Sequence, residues 1–190
     1  MIFISNRVDF GPLAELVGVW KGDKGSDLAP EQVGSELSPY SETITYTAVG
    51  DVKNAESEVL AVVRYHLEVM HKIKHEKIHD ETGYWMWDAS TGTVINSLII
   101  PRAVCVLAGG KFDSKVDQNG QVTLDVQAAA DHSDWNIIQS PFMKDKARTN
   151  SFSRTITVGN GKMKYFQNTQ LSIYGKEFDH TDENELTRQP

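Results

Sequence analysis

The sequence predicts an all-β fold: a closed antiparallel β-barrel of about ten strands with a short N-terminal helix, spanning 1–190 as one domain. Three observations predict it. Apolar and polar residues alternate with period two through most of the chain, the pattern of strands with one buried face. Residues that tolerate positive φ separate these runs at short intervals, as hairpins require. An open antiparallel sheet of that many strands would also leave exposed edges, which closure removes.

Each element has its own warrant. Phe10, Leu13, Leu16 and Val17 are spaced three, three and one, which gives one face of a short helix ending at Gly18. A first short strand follows around Val19 to Lys21. Residues 23–39 are rich in Gly, Ser, Pro and acids and read as a long loop bordering a ligand mouth. The run from Tyr40 to Thr47 alternates. So do Val63, Tyr65, Leu67, Val69 and Ile73 against Arg64, His66, Glu68, Lys72 and Lys74, with only His71 interrupting the apolar face. Further strands are expected near 79–88, 93–100, 102–108, 121–128, 151–158, 162–174 and 183–189. Thr91-Gly92, Asn119-Gly120 and Gly159-Asn160-Gly161 supply the turns. Residues 129–150 lack alternation and form one long excursion with a helical turn. A barrel of this strand number is wider than an eight-stranded one, so it has room for a small ligand.

Composition narrows the function. Lys+Arg number 19 against 26 Asp+Glu, a net charge of −7, which opposes binding to a nucleic-acid backbone. Cys105 is the only cysteine, so neither an intramolecular disulfide nor a cysteine-built metal cage forms, and a cytoplasmic location is expected. It lies in the apolar run Ala103 to Leu107 and reads as a small buried hydrophobe. The longest apolar stretch, Val94 to Leu107, is broken by Asn96, Pro101 and Arg102, so no membrane span is expected; nor is an export signal.

Several short motifs invite chemistry. His75-Glu76-Lys77-Ile78-His79 has the H-E-x-x-H form that on a helix sets two imidazoles over zinc, but its flanks alternate as strands and predict a hairpin over 74–78. Gly159-Asn160-Gly161-Lys162 lacks phosphate-loop spacing, and no G-x-S-x-G nucleophile turn occurs. Gly18-x-Trp20-x-Gly22-x-x-Gly25 lets the backbone turn sharply while the Trp20 ring plugs or lines one barrel end. In His79-Asp80-Glu81-Thr82-Gly83-Tyr84-Trp85, a glycine inside a strand marks a bulge, a bend or a close approach. Glu81 must either find a cation inside or stay outside.

With these two motifs, Tyr40-Ser41-Glu42 and the closing Leu186-Thr187-Arg188, the chain resembles the nitrobindin family, haem-binding barrels whose fold is similar to fatty-acid-binding proteins. The resemblance implies haem b at one mouth, held by a histidine near the C-terminal strand, with nitric oxide binding and peroxynitrite isomerisation at the iron. The matching residue is His180, which precedes Leu186 by six residues where the family form has five. On a strand, a one-residue change reverses the face unless a bulge absorbs it. Trp20, Tyr84 and Trp85 or Trp87 are expected in the walls or pocket. His66 and His132 are weaker ligand candidates. A second reading is a metal-free carrier of a fatty acid or other apolar ligand, with Arg64, Arg102, Arg154 or Arg188 clamping its carboxylate. A third is zinc hydrolysis through His75 and His79. Expected partners are a small molecule and, in a homodimer, a second copy.

Overall fold

The computed structural model describes residues 8–113 and 115–190. A 3₁₀ helix (Gly11–Leu16) precedes β1 (Gly18–Pro30), β2 (Ser35–Asn54), β3 (Glu58–His71), β4 (Lys77–Asp88), β5 (Thr93–Ile100) and β6 (Val104–Lys111). Then come β7 (Val122–Ala129), β8 (Ile137–Gln139), helix α1 (Pro141–Lys146), β9 (Ala147–Gly159), β10 (Lys162–Ile173) and β11 (Lys176–Arg188). Strands β1 to β6 pair antiparallel in sequence order, β7 pairs with β9, β9 with β10, β10 with β11, and β11 returns to β1. Ten strands therefore close the barrel. The seam between β6 and β7 is thin, with one paired position, Gly109 opposite Gln127; beyond it β8 takes over as partner of β6 through Val104 to Val106.

The hairpin at 159–161 turns as expected, with Asn160 and Gly161 at positive φ, as do Gly92 and Gly120 in theirs. The excursion holds β8 and α1, whose first turn Ser140 caps by accepting from the Met143 amide. Gln139 ties it down, donating to the Thr149 carbonyl at 2.8 Å and accepting from the Thr149 amide at 2.7 Å.

Two expectations are corrected. Residues 23–30 and 35–39 are strand, not loop: their turn-forming composition is overridden because β1 and β2 pair from Gly18 opposite Tyr46 up to Pro30 opposite Ser35. Cys105 is half-buried rather than interior, because Val104 and Val106 take the inward face of β6.

One end of the barrel is an apolar plug. The 3₁₀ helix drives Leu13 and Leu16 out of solvent entirely, and Trp20, equally buried, donates its indole N–H to the Leu16 carbonyl at 2.6 Å. Val63, Trp85, Val94, Val158, Met163 and Leu186 complete the plug; each such aliphatic side chain contributes about 2 kcal/mol by leaving water. Gly83 answers the question its position raised. A Cβ there would sit 2.0 Å from the Ser97 carbonyl oxygen, so glycine permits a close approach of β4 to β5.

Candidate functional site

Above the plug the interior turns polar. On β9 the inward residue is Arg154, 5% exposed, and on β4 it is Glu81, 1% exposed. Arg154 grips Glu81 with both terminal nitrogens, Nη1 to Oε1 at 2.8 Å and Nη2 to Oε2 at 2.9 Å. Its Nε donates to Gln167 at 2.8 Å, Nη1 also reaches Tyr65 and Asn96 at 3.2 Å each, and Nη2 also bonds Gln167. Burial alone would push the Glu81 carboxyl up, but the Arg154 charge, helped by His79, holds it well below the usual carboxylate range. All three guanidinium nitrogens are thus engaged by the protein itself, leaving no fork for a ligand carboxylate.

Toward the open end, an inward row runs in register across four strands: Ala128 opposite Phe152, Phe152 opposite Thr169, Thr169 opposite His180. Pairing of β10 with β11 is unbroken from Lys162 opposite Thr187 to Ile173 opposite Lys176. The even spacing of six therefore puts His180 on the same face as the buried Leu186, and that face is the interior. The His180 side chain is 29% exposed, and its Nε2 lies 2.7 Å from Asp27 Oδ1 and 3.8 Å from Asp182 Oδ2. Burial works against a charged ring here, but the hydrogen bond to Asp27 and the Asp182 charge prevail and raise its pKa. Gln167 links the layers, bonding Arg154 below and donating to Asp182 at 3.3 Å. His79 faces in on β4, with Nε2 3.4 Å from Glu81 Oε2.

The glycine motif explains how Asp27 reaches this spot. Trp20 lies opposite Ile44 and Arg188, whereas Asp27 lies opposite Ser38 and Asp182, so between Gly22 and Gly25 strand β1 carries one residue more than either neighbour. That bulge switches the inward face from even to odd positions. Both glycines are sterically required: a Cβ at Gly22 would meet the Glu185 carbonyl at 2.5 Å, and one at Gly25 would meet the Tyr40 ring at 2.1 Å.

A second polar cluster lies beside the bulge. Tyr165 donates to Glu42, its Oη 3.1 Å from each carboxylate oxygen and 2.6 Å from the Tyr40 hydroxyl, while Asn184 donates to Glu42 Oε2 at 2.9 Å. Burial pushes the Glu42 carboxyl up to about 7, against the hydrogen bonds from Asn184 and Tyr165. A raised carboxyl means that the folded chain holds a proton the unfolded chain has already lost. Stability is accordingly lost as pH climbs from the ordinary carboxylate value through 7. Glu42→Gln is expected to flatten that slope and to gain up to about 3 kcal/mol over the parent at pH 8, read from urea melts at pH 5 and pH 8.

The remaining candidates disperse. Trp20 and Trp85 are buried in the plug, not at the mouth. Tyr84 points outward and is 43% exposed, because its neighbours Gly83 and Trp85 take the inward face. His75 sits in the turn between β3 and β4 at φ 55°, and His79 is on a strand, so the H-E-x-x-H pattern lacks the helix that zinc binding needs. His66 pairs with Asp80 on the outer surface at 3.2 Å, and His132 accepts from the amides of Asp134 and Trp135 in its turn. Arg64 is exposed, and Arg102 lies exposed in the turn between β5 and β6. Arg188 stacks over Trp20 at 4.9 Å and pairs with Glu15. Sequence reading missed Asp27 and Gln167, of which only the first was signalled, by the glycine spacing; Asp182 is legible as a carboxylate flanking His180, and Glu42 only as part of the Tyr40-Ser41-Glu42 motif.

An inward imidazole on β11, in one row with Thr169, Phe152 and Ala128 on the three strands beyond, is a donor of the type that holds haem iron, so the residues present fit that group. The carboxylates of Asp27 and Asp182 lie with it inside 4.8 Å. Among the described residues no helix is long and apolar enough to cross a membrane. A search of curated proteins finds none that matches. Among solved structures, the chain is similar to the crystal structure of Rv2717c from M. tuberculosis, with 18% identity, a TM-score of 0.70, and coverage of 94% of this chain and 95% of that one. At that identity the likeness speaks for the fold. A family model described as THAP4-like, heme-binding beta-barrel domain matches residues 9–188, nearly the whole chain. With the barrel closed and the motif residues placed, the chain belongs to the THAP4-like haem-binding β-barrel domain family, in keeping with its resemblance to nitrobindins.

Proposed function

We propose that this barrel binds haem b at its open end with His180 as the axial donor, and that nitric oxide or peroxynitrite is handled there in the cytosol. The observation that carries the reading is the placement of His180 on the inward face of β11, in register with Thr169 and Phe152. Bound haem supplies an iron centre able to take up nitric oxide and to convert peroxynitrite. The chain's own residues do the rest. His180 offers a ring nitrogen, Phe152 and Ala128 keep water from that side of the interior, and the Arg154–Glu81 layer stiffens the floor beneath. The carrier reading loses its anchor, since Arg154 already holds Glu81.

Haemin titrated into the purified protein is expected to give a shifted, sharpened Soret band at one equivalent, and His180→Ala is expected to abolish it. A spectrum of free haemin from the parent protein overturns the proposal.

A further inference from the structure

We propose that Asp27 is a positioning residue that latches His180 through Nε2 and thereby sets how tightly the barrel holds haem, an inference that rests on the haem reading above. The geometry carries it. The carboxylate oxygen of Asp27 lies 2.7 Å from Nε2, the ring nitrogen farther from the backbone. A ring nitrogen that donates a hydrogen bond has no lone pair for a metal. If haem were bound, Nε2 of His180 would be free to hold its iron only with the contact to Asp27 given up.

The fold has gone to some length to make this contact. Were the same residues pleated regularly through Gly22 to Gly25, the inward positions of β1 would stay even and Asp27 would face solvent. Bulges recur beside functional sites, where the local bend they introduce re-aims a side chain. Asp27 is well buried, with 18% of its side chain exposed, so its bond to His180 is only partly screened. Asp182, at 3.8 Å, is beyond hydrogen-bond distance of the same nitrogen and is directly opposite Asp27 across the β1–β11 ladder. It serves as the comparison: a neighbouring carboxyl group without the bond.

The test compares parent, Asp27→Ala, Asp27→Asn and Asp182→Asn by haemin titration, and by ¹⁵N NMR of the histidine rings in the haemin-free proteins. Thermal melts identify any variant that fails to fold; Asp27→Leu, which also lacks an acceptor, stands in for Ala if it does, and Asp27→Asn, whose amide oxygen still accepts from Nε2, is expected to fall between Ala and the parent. A hydrogen bond to a charged group corresponds to roughly tenfold or more in affinity. Asp27→Ala is therefore expected to bind haemin about tenfold more tightly than the parent, with the same Soret maximum, while Asp182→Asn changes affinity much less. In the haemin-free parent, the His180 Nε2 resonance is expected at a protonated, hydrogen-bonded position and to move in Asp27→Ala. Equal or weaker haemin binding by Asp27→Ala, with the parent binding normally, overturns the latch alone. Failure of both proteins to bind haemin overturns the proposed function as well.

Discussion

Arg154→Met is expected to cost about 3–5 kcal/mol of folding stability at pH 7, the largest effect of any single change in the barrel interior. Methionine approximates the length of the lost side chain, so the penalty comes from leaving Glu81 buried and charged without its partner rather than from an empty space. Gln167, Asn96 and Tyr65 also lose a donor each, which adds to the cost. The parent's Glu81, held below the ordinary carboxylate range, contributes stability that is full above that range and lost as pH falls through it. In Arg154→Met the sign reverses: acidification lets Glu81 take a proton and recovers stability. The double change Arg154→Met with Glu81→Leu is expected to restore most of the loss, since apolar pairs often replace buried ion pairs at little cost. Urea melts of the parent, the single and the double variant at pH 5 and pH 7 check this. A loss under about 1 kcal/mol in Arg154→Met would mean the pair is solvated.

Gly83→Ala is expected to follow closely, with a loss of about 3 kcal/mol, near the upper end for overpacking. The added carbon would lie 2.0 Å from the Ser97 carbonyl oxygen and 3.0 Å from the Leu98 Cα, both backbone atoms of the neighbouring strand. Nothing at the end of a flexible side chain is available to move aside. Tyr65 lies opposite Gly83 on β3, so spreading β4 from β5 also disturbs the floor of polar residues. Denaturant midpoints of Gly83→Ala against the parent measure it, and a shift of only a few tenths of a kcal/mol would sink the close-approach account.

The barrel was legible in sequence because alternation and turn chemistry act locally: β3, β4 and β10 sit within a few residues of where their periodicity puts them. What composition concealed was the length of β1. Asp23-Lys24-Gly25-Ser26 reads as loop, yet it is the bulge between two stretches of β1 that pair with β2 and β11 on both sides. The site divided in the same way. His180 was singled out only through the family resemblance, whereas the need of Glu81 for a cation came from the residue itself. Which arginine answered Glu81 did not, because Arg154 lies 73 positions away and only closure of the sheet brings it across. Tyr84 was misjudged for want of one fact: parity in β4 is set by Gly83 and Trp85 facing in.

The extra residue in β1 bears on how relatives of this chain are compared. Aligning two such sequences by matching tryptophan, glycine and aspartate one for one, then sliding a gap to save a mismatch, assigns wall residues to the pocket and pocket residues to the wall from that point to the end of the strand. Counting positions between Trp20 and the acid opposite Asp182 tells which side of the wall is being read, whatever letters stand between.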